Sequence, residues 1–173
     1  MLATGADNTA MRELARFDDP GSVRGWSPID DVVMGGVSSS RLRFDPAGHA
    51  VFEGVVSLEN HGGFASVRAA PGDYAAPGAQ VYLLSVRGDG KRYKLTLRAD
   101  SDFDGVNYQS QFAPPAGQWA ELRLAADGFR ASFRGREVPA PPLDPGRVRQ
   151  LGLMISGRQA GPFSLELRWI RAE

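Results

Sequence analysis

The side chains that could serve acid–base catalysis here are two histidines and a few aspartate pairs, and the sequence contains no cysteine. Thiolate nucleophiles, thiolate zinc sites and disulfide scaffolds are thereby excluded. His61, in Glu59-Asn60-His61-Gly62, is the better-placed base, whereas His49 follows Gly48 in a turn and is expected at the surface. Asp18-Asp19 and Asp30-Asp31 are paired carboxylates. Neighbours in an extended chain point to opposite faces, so each pair offers at most one member to a given site. An acid–base enzyme would need His61 and an aspartate within hydrogen-bond reach in one pocket. No Gly-x-Ser-x-Gly, His-Glu-x-x-His or phosphate-loop spacing occurs, and no catalytic residue is assigned. Asp100-Ser101-Asp102-Phe103-Asp104-Gly105 has the opening of a calcium loop, with oxygens at alternate positions and a glycine for the turn. Gln111 stands where the closing bidentate glutamate is due, and the residues between read as a strand rather than a helix. A solvated turn is therefore expected there, and no metal or cofactor is assigned. Arg87-Gly88-Asp89 reads as part of a hairpin turn carried by Asp89-Gly90, not as an adhesion tripeptide.

Binding chemistry is better represented. Alternation places Ser66 with Arg68 on one strand face, Lys94 with Thr96 and Arg98 on another, and Asn107 with Gln109 and Gln111 on a third. Should these strands be neighbours, one sheet would present cations, amides and hydroxyls, with Tyr82 or Tyr108 nearby. The candidate ligand- or partner-binding residues are Asn60, Ser66, Arg68, Arg87, Lys94, Arg98, Asn107 and Gln109. Such a surface suits sugar hydroxyls, a carboxylate or a partner's main chain. A glycan site would add an exposed aromatic beside Arg68, Arg98 or Asn107, yet Trp26, Trp119 and Trp169 are all expected to be buried. An ordinary solvated sheet is the plain alternative.

The elements that must carry these residues are strands. The 21 glycines and 12 prolines punctuate short apolar runs at regular intervals, as in an all-β sandwich. Alternation is clearest in Ala50–Leu58, Lys91–Ala99 and the last strand, where Phe163, Leu165, Leu167 and Trp169 oppose Ser164, Glu166 and Arg168. Arg41–Asp45, Gly63–Ala69, Gln80–Arg87, Val106–Phe112, Gln118–Leu124 and Val148–Ile155 complete the expected set. Helix is scarce: two turns over Thr9–Arg16 and one near Asp144–Gln150. Pro139 to Pro145 reads as a surface crossover, because proline donates no ladder hydrogen bond. Residues 1–16 are taken as an N-terminal extension and 17–173 as one domain.

Two Gly-Gly pairs mark places where the backbone approaches closely or turns with positive φ. They lie in Asp31-Val32-Val33-Met34-Gly35-Gly36-Val37-Ser38 and in Asn60-His61-Gly62-Gly63-Phe64-Ala65-Ser66-Val67-Arg68. Asp31, Gly35, Gly36, Ser38, Gly62 and Gly63 read as a structural crossing, with Met34 as core filling. These segments carry a resemblance, shared with Arg87-Gly88-Asp89-Gly90-Lys91-Arg92-Tyr93, Phe103-Asp104-Gly105-Val106-Asn107-Tyr108, Phe133-Arg134-Gly135-Arg136 and Leu153-Met154-Ile155-Ser156 with Gly161-Pro162-Phe163. In this order, from about Phe17 to Ile170, the chain resembles the complex I intermediate-associated protein 30 family. The resemblance implies a galactose-binding-like jelly-roll sandwich of about 8–10 antiparallel strands. It also implies a non-catalytic module that binds protein partners, such as subunits of a respiratory complex under assembly. A carbohydrate-binding module with its site on the polar sheet face is the alternative.

With 20 basic and 20 acidic residues the net charge is zero, so nothing in the composition favours nucleic acid or an anionic membrane. No segment approaches a membrane span, and residues 1–17 resemble neither a secretory signal nor a transit peptide. The expected address is cytoplasmic.

Overall fold

The structure is a computed structural model that describes residues 11–99 and 105–173, without the side chains of Val33 and Met34. Thirteen strands and five short 3-10 turns occur among the described residues. The strands are β1 (Arg12–Arg16), β2 (Trp26–Pro28), β3 (Ser39–Asp45), β4 (His49–Val56), β5 (Ala65–Ala69), β6 (Val81–Arg87) and β7 (Tyr93–Arg98). They continue with β8 (Asn107–Phe112), β9 (Trp119–Ala125), β10 (Arg130–Phe133), β11 (Arg136–Glu137), β12 (Gln150–Ile155) and β13 (Gly161–Ala172). One six-stranded sheet runs β3-β4-β13-β6-β9, with β1 also paired to β13; a seven-stranded sheet runs β11-β10-β8-β7-β12-β5-β2. All these strand pairings are antiparallel. No helix of the described residues is long and apolar enough to cross a membrane.

Period-2 patterning builds the core. Tyr93, Leu95 and Leu97 of β7 and Leu151, Leu153 and Ile155 of β12 face inward from the seven-stranded sheet. Ala50, Phe52 and Val56 of β4 and Phe163, Leu165 and Leu167 of β13 face them from the other. Phe52 ties the layers together by edge-on contact with Phe163 at 4.9 Å and Tyr93 at 6.2 Å between ring centroids. Each such fully buried large side chain contributes about 1.5–3 kcal/mol.

Three sequence expectations are corrected. The described part of Thr9–Arg16 is the strand β1, not a helix, because pairing with β13 satisfies its backbone and buries Leu14 in the core. Trp169 does not continue the inward alternation of β13. A register shift between Leu167 and Trp169 makes Ile170 the next core residue and turns Trp169 outward beneath Arg171, 3.9 Å from the ring centroid. His49 is buried within β4, at 6 % exposure, rather than displayed in a turn.

Candidate functional site

The seven-stranded sheet joins most of the candidate residues on its outer face. Thr96 of β7 lies opposite Gln109 of β8 on one side and Gly152 of β12 on the other, and Gly152 lies opposite Arg68 of β5. One step along, Lys94 is paired with Gln111 and Met154, and Met154 with Ser66. At the other end Arg98 is paired with Gln150, while Asn107 is paired with Ser132 of β10. Three polar rows therefore cross the sheet.

Their states differ. Arg98 and Gln150 are buried, at 4 % and 2 % exposure, and both, like Arg68, are engaged in interactions. The Ser66 hydroxyl donates to the Ile29 carbonyl and so serves the fold. Asn107 Oδ1 is buried without a hydrogen-bond partner among the described residues. Lys94 is half-buried and donates from Nζ to Gln109 Oε1 at 3.2 Å, while Gln109 Nε2 has, among the described residues, only the Met154 sulfur, 4.0 Å away. Burial lowers the Lys94 pKa below its ordinary value, because desolvation disfavours the ammonium form. Gly152 lets the Thr96 side chain lean across β12: a Cβ there would lie 2.4 Å from Thr96 Oγ1 and 3.1 Å from the Val67 carbonyl oxygen.

A buried carboxylate fixes the approach to β5. Asp31 is fully buried. Its carboxylate accepts from Ser38 N at 2.9 Å, Ser38 Oγ at 2.5 Å, Gly63 N at 2.8 Å and Phe64 N at 3.4 Å. Burial alone would raise its pKa, but these donors outweigh it and hold the group below the ordinary value. A Cβ on Gly36 would come 2.4 Å from Asp31 Cγ, and one on Gly62 2.5 Å from Asp31 Oδ2. Only glycine admits so close a wrap. Gly35, with φ 88°, closes the 3-10 turn Asp31–Met34; the side chain of Met34 lies outside the described residues. Asp30 reaches the other way, accepting from Ser40 Oγ at 2.6 Å and Ser66 N at 3.0 Å. Burial is the larger influence on it and raises its pKa.

Arg87 and Asn60 do not join this face. Arg87 lies on the six-stranded sheet, clamped on Glu166 by Nε to Oε2 at 2.5 Å and by its terminal nitrogen to Oε1 at 2.7 Å. His49 Nε2 is 2.8 Å from the same carboxylate. Trp119 completes the group, with Arg168 3.9 Å and Arg87 5.1 Å from its ring centroid. Trp119 is thus half-buried under arginines on an outer face, not in the core. Asn60 is exposed in the turn Glu59–His61 with φ 54°. His61 beside it is exposed too and makes no hydrogen bond or ion pair among the described residues, so the dyad an enzyme would need is not formed. Tyr82 and Tyr108 turn away from the polar face, Tyr82 into the core and Tyr108 onto its edge with its hydroxyl donating to the Pro141 carbonyl at 2.7 Å. Residues 100–104 of the calcium-like run lie outside the described residues, and the rest hold no cluster of metal-ligating side chains.

Sequence reasoning overlooked Gln150, Gly152 and Met154 as part of the face. The signal was present in Gln150-Leu151-Gly152-Leu153-Met154-Ile155, where alternating leucines and isoleucine face inward. What it lacked was knowledge that β12 separates β5 from β7.

Comparison with known proteins supplies the family. The family model described as complex I intermediate-associated protein 30 (CIA30) matches residues 15–167. The Drosophila melanogaster protein named complex I intermediate-associated protein 30, mitochondrial, is 24% identical across 91% of this chain and 61% of its own length. Its Mus musculus counterpart is 30% identical across 50% of this chain and 28% of its own length. The chain thus spans less than two-thirds of either relative. Both are named as mitochondrial, which overturns the expectation of a cytoplasmic address. Among solved structures, a family 11 carbohydrate-binding module from Clostridium thermocellum, in complex with a β-1,3-1,4-mixed-linked tetrasaccharide, superposes with a TM-score of 0.68 at 13% identity over 94% of each chain. The family 11 module of the cellulosomal cellulase Lic26A-Cel5E of the same organism gives 0.70 at 12% identity, over 94% of this chain and 93% of that one. At such identity the likeness speaks to fold, a galactose-binding-like jelly roll. With nearly the whole sandwich inside the family match, the chain belongs to the complex I intermediate-associated protein 30 family.

Proposed function

We propose that this domain is a non-catalytic, assembly-factor-like module that binds a protein partner on the outer face of its seven-stranded sheet. The partner class is a subunit of a respiratory complex under assembly, in line with the names of its curated relatives. The observation that carries the reading is the makeup of that face: Lys94, Thr96, Gln109, Gln111 and Met154 offer hydrogen bonds and soft apolar contact at the centre of a rigid sheet. The mechanism is complementary docking, with no covalent step.

A glycan-binding reading draws support from the carbohydrate-binding modules that share the fold. Sugar rings are commonly held against aromatic side chains, and the described residues of this face supply amides, hydroxyls, cations and a thioether instead. Peptide chemistry is therefore preferred.

The test is affinity capture from detergent-solubilised host membranes with the full chain, in parallel with a Lys94→Glu/Gln111→Glu variant and an Arg41→Glu variant of the opposite sheet. Recovery of respiratory-complex subunits by wild type and Arg41→Glu, but not by the double variant, is expected. Equal recovery by all three moves the interface elsewhere. Failure of all three to recover such subunits overturns the assembly reading, and binding to a glycan array would replace it.

A further inference from the structure

Lys94, on the central polar face, has a neutral amide as its hydrogen-bond partner and makes no ion pair among the described residues. An ammonium removed from water costs free energy unless a counter-charge or several acceptors replace the lost hydration, and a single amide oxygen at 3.2 Å does so poorly. Around it the unspent groups are donors. The Gln109 amide N–H meets only a thioether sulfur at 4.0 Å, and the Thr96 hydroxyl has no side-chain hydrogen-bond partner among the described residues. Gly152, across from Thr96, has no side chain, and Thr96 Oγ1 takes the place a Cβ would occupy there. The arrangement is one cation, one N–H and one O–H on neighbouring positions of β7 and β8, on the outer face of the sheet.

Resting on the proposed binding role of this face, we infer that the spot bounded by Lys94, Thr96, Gln109 and Gly152 is a receptor for a carboxylate, supplied by a glutamate or aspartate side chain of the partner protein. A carboxylate is acceptor-only and singly charged, with two oxygens to share among three donors. One lysine matches that charge, whereas a phosphate dianion would leave excess charge in a half-dry site. Binding would exchange the poor Gln109 contact for a charge-assisted hydrogen bond, and the depressed Lys94 pKa would recover as the counter-charge arrives.

The experiment is an NMR titration of the full chain, with lysine side chains carbon-labelled, using the peptide Ac-Gly-Ser-Glu-Ser-Gly-NH2, its Gln counterpart and sodium glucuronate as probes. The Glu peptide is expected to shift the Lys94 Cε signal and the amides of Thr96, Gln109 and Gly152, and to raise the Lys94 titration midpoint. The Gln peptide should leave them in place. Lys94→Met should weaken the Glu peptide at least tenfold, which is about 1.4 kcal/mol, while Lys94→Arg keeps most of the response; an unchanged melting temperature would establish that both variants fold. Equal responses to the Glu and Gln peptides, no response at Lys94, or a response to glucuronate alone would each overturn the inference. The proposed function fails separately. If the capture experiment succeeds while the Glu peptide is silent, the partner uses this face without a carboxylate and only the inference falls. If the Glu peptide binds at Lys94 while no respiratory subunit is captured, the receptor stands and the partner class is wrong.

Discussion

On the outer face of the six-stranded sheet, Glu166 is gripped by Arg87 at 2.5 and 2.7 Å and approached by His49 at 2.8 Å. On the outer face of the seven-stranded sheet, Lys94 has one neutral oxygen at 3.2 Å. Both are charged groups partly withdrawn from water. The first is satisfied by its own chain, and the Arg87 guanidinium holds the Glu166 pKa below the usual carboxylate value. The second is left with its pKa displaced toward neutrality. Around Glu166 the other charges are matched as well, with Arg41 and Arg43 on Glu53 and Arg43 on Asp45. The lesson is that sheet faces of the same sandwich serve different ends: one spends its charges on cohesion, the other keeps a charge and several donors available.

Both faces depend on the Asp31 crossing, so the largest effect is expected there. Asp31→Ala should destabilise by about 3 kcal/mol or more, because it strands the buried Ser38 and Gly63 donors; a urea midpoint unchanged from wild type would refute this. Glu166→Ala should cost about 2 kcal/mol by leaving the Arg87 guanidinium without its bidentate acceptor. Acid unfolding probes the same face without mutation. The stability that Glu166 and Asp31 contribute is fully present above their ordinary values of 4.5 and 3.8, and is lost as pH falls below these through their lower folded-state values. Replacing Glu166 with Gln should flatten that acid slope in thermal melts.

Lys94→Met should do the opposite of Glu166→Ala. Discounted for its partial exposure, the change is expected to stay within about 1 kcal/mol of wild type and in the stabilising direction at neutral pH. The sign follows from the lowered pKa: between the folded-state value and 10.5 the unfolded chain binds more protons, so wild-type stability rises with pH and the variant's should not. A Lys94→Met protein that melts several degrees lower would place Lys94 among the cohesive charges and erase the contrast between the faces. The smallest effect is at the stack on Trp119, where Arg168→Ala should cost about 0.5–1 kcal/mol, read from the urea midpoint.

Alternating residues made β4, β7 and most of β13 legible, since a one-residue slip would expose every core side chain. The polar partners on β5, β7 and β8 were legible for the same reason. Trp169 was not, because the register shift after Leu167 arises only when β13 pairs with β6. The carboxylate cluster that buries His49 was equally hidden: His49, Arg87 and Glu166 come from three strands that are distant in sequence.

The sequence alone determined that this chain is a β-sandwich, which side chains of β7 and of most of β13 point inward, and that cysteine chemistry is absent. These are local properties, set by a period of two residues and by composition. Only the tertiary structure decided that β12 lies between β5 and β7, that Gly152 sits under the Thr96 side chain, and that Arg87 belongs to the other sheet. Strand order is a long-range choice made by packing two sheets around one core, and no spacing within a single strand encodes it.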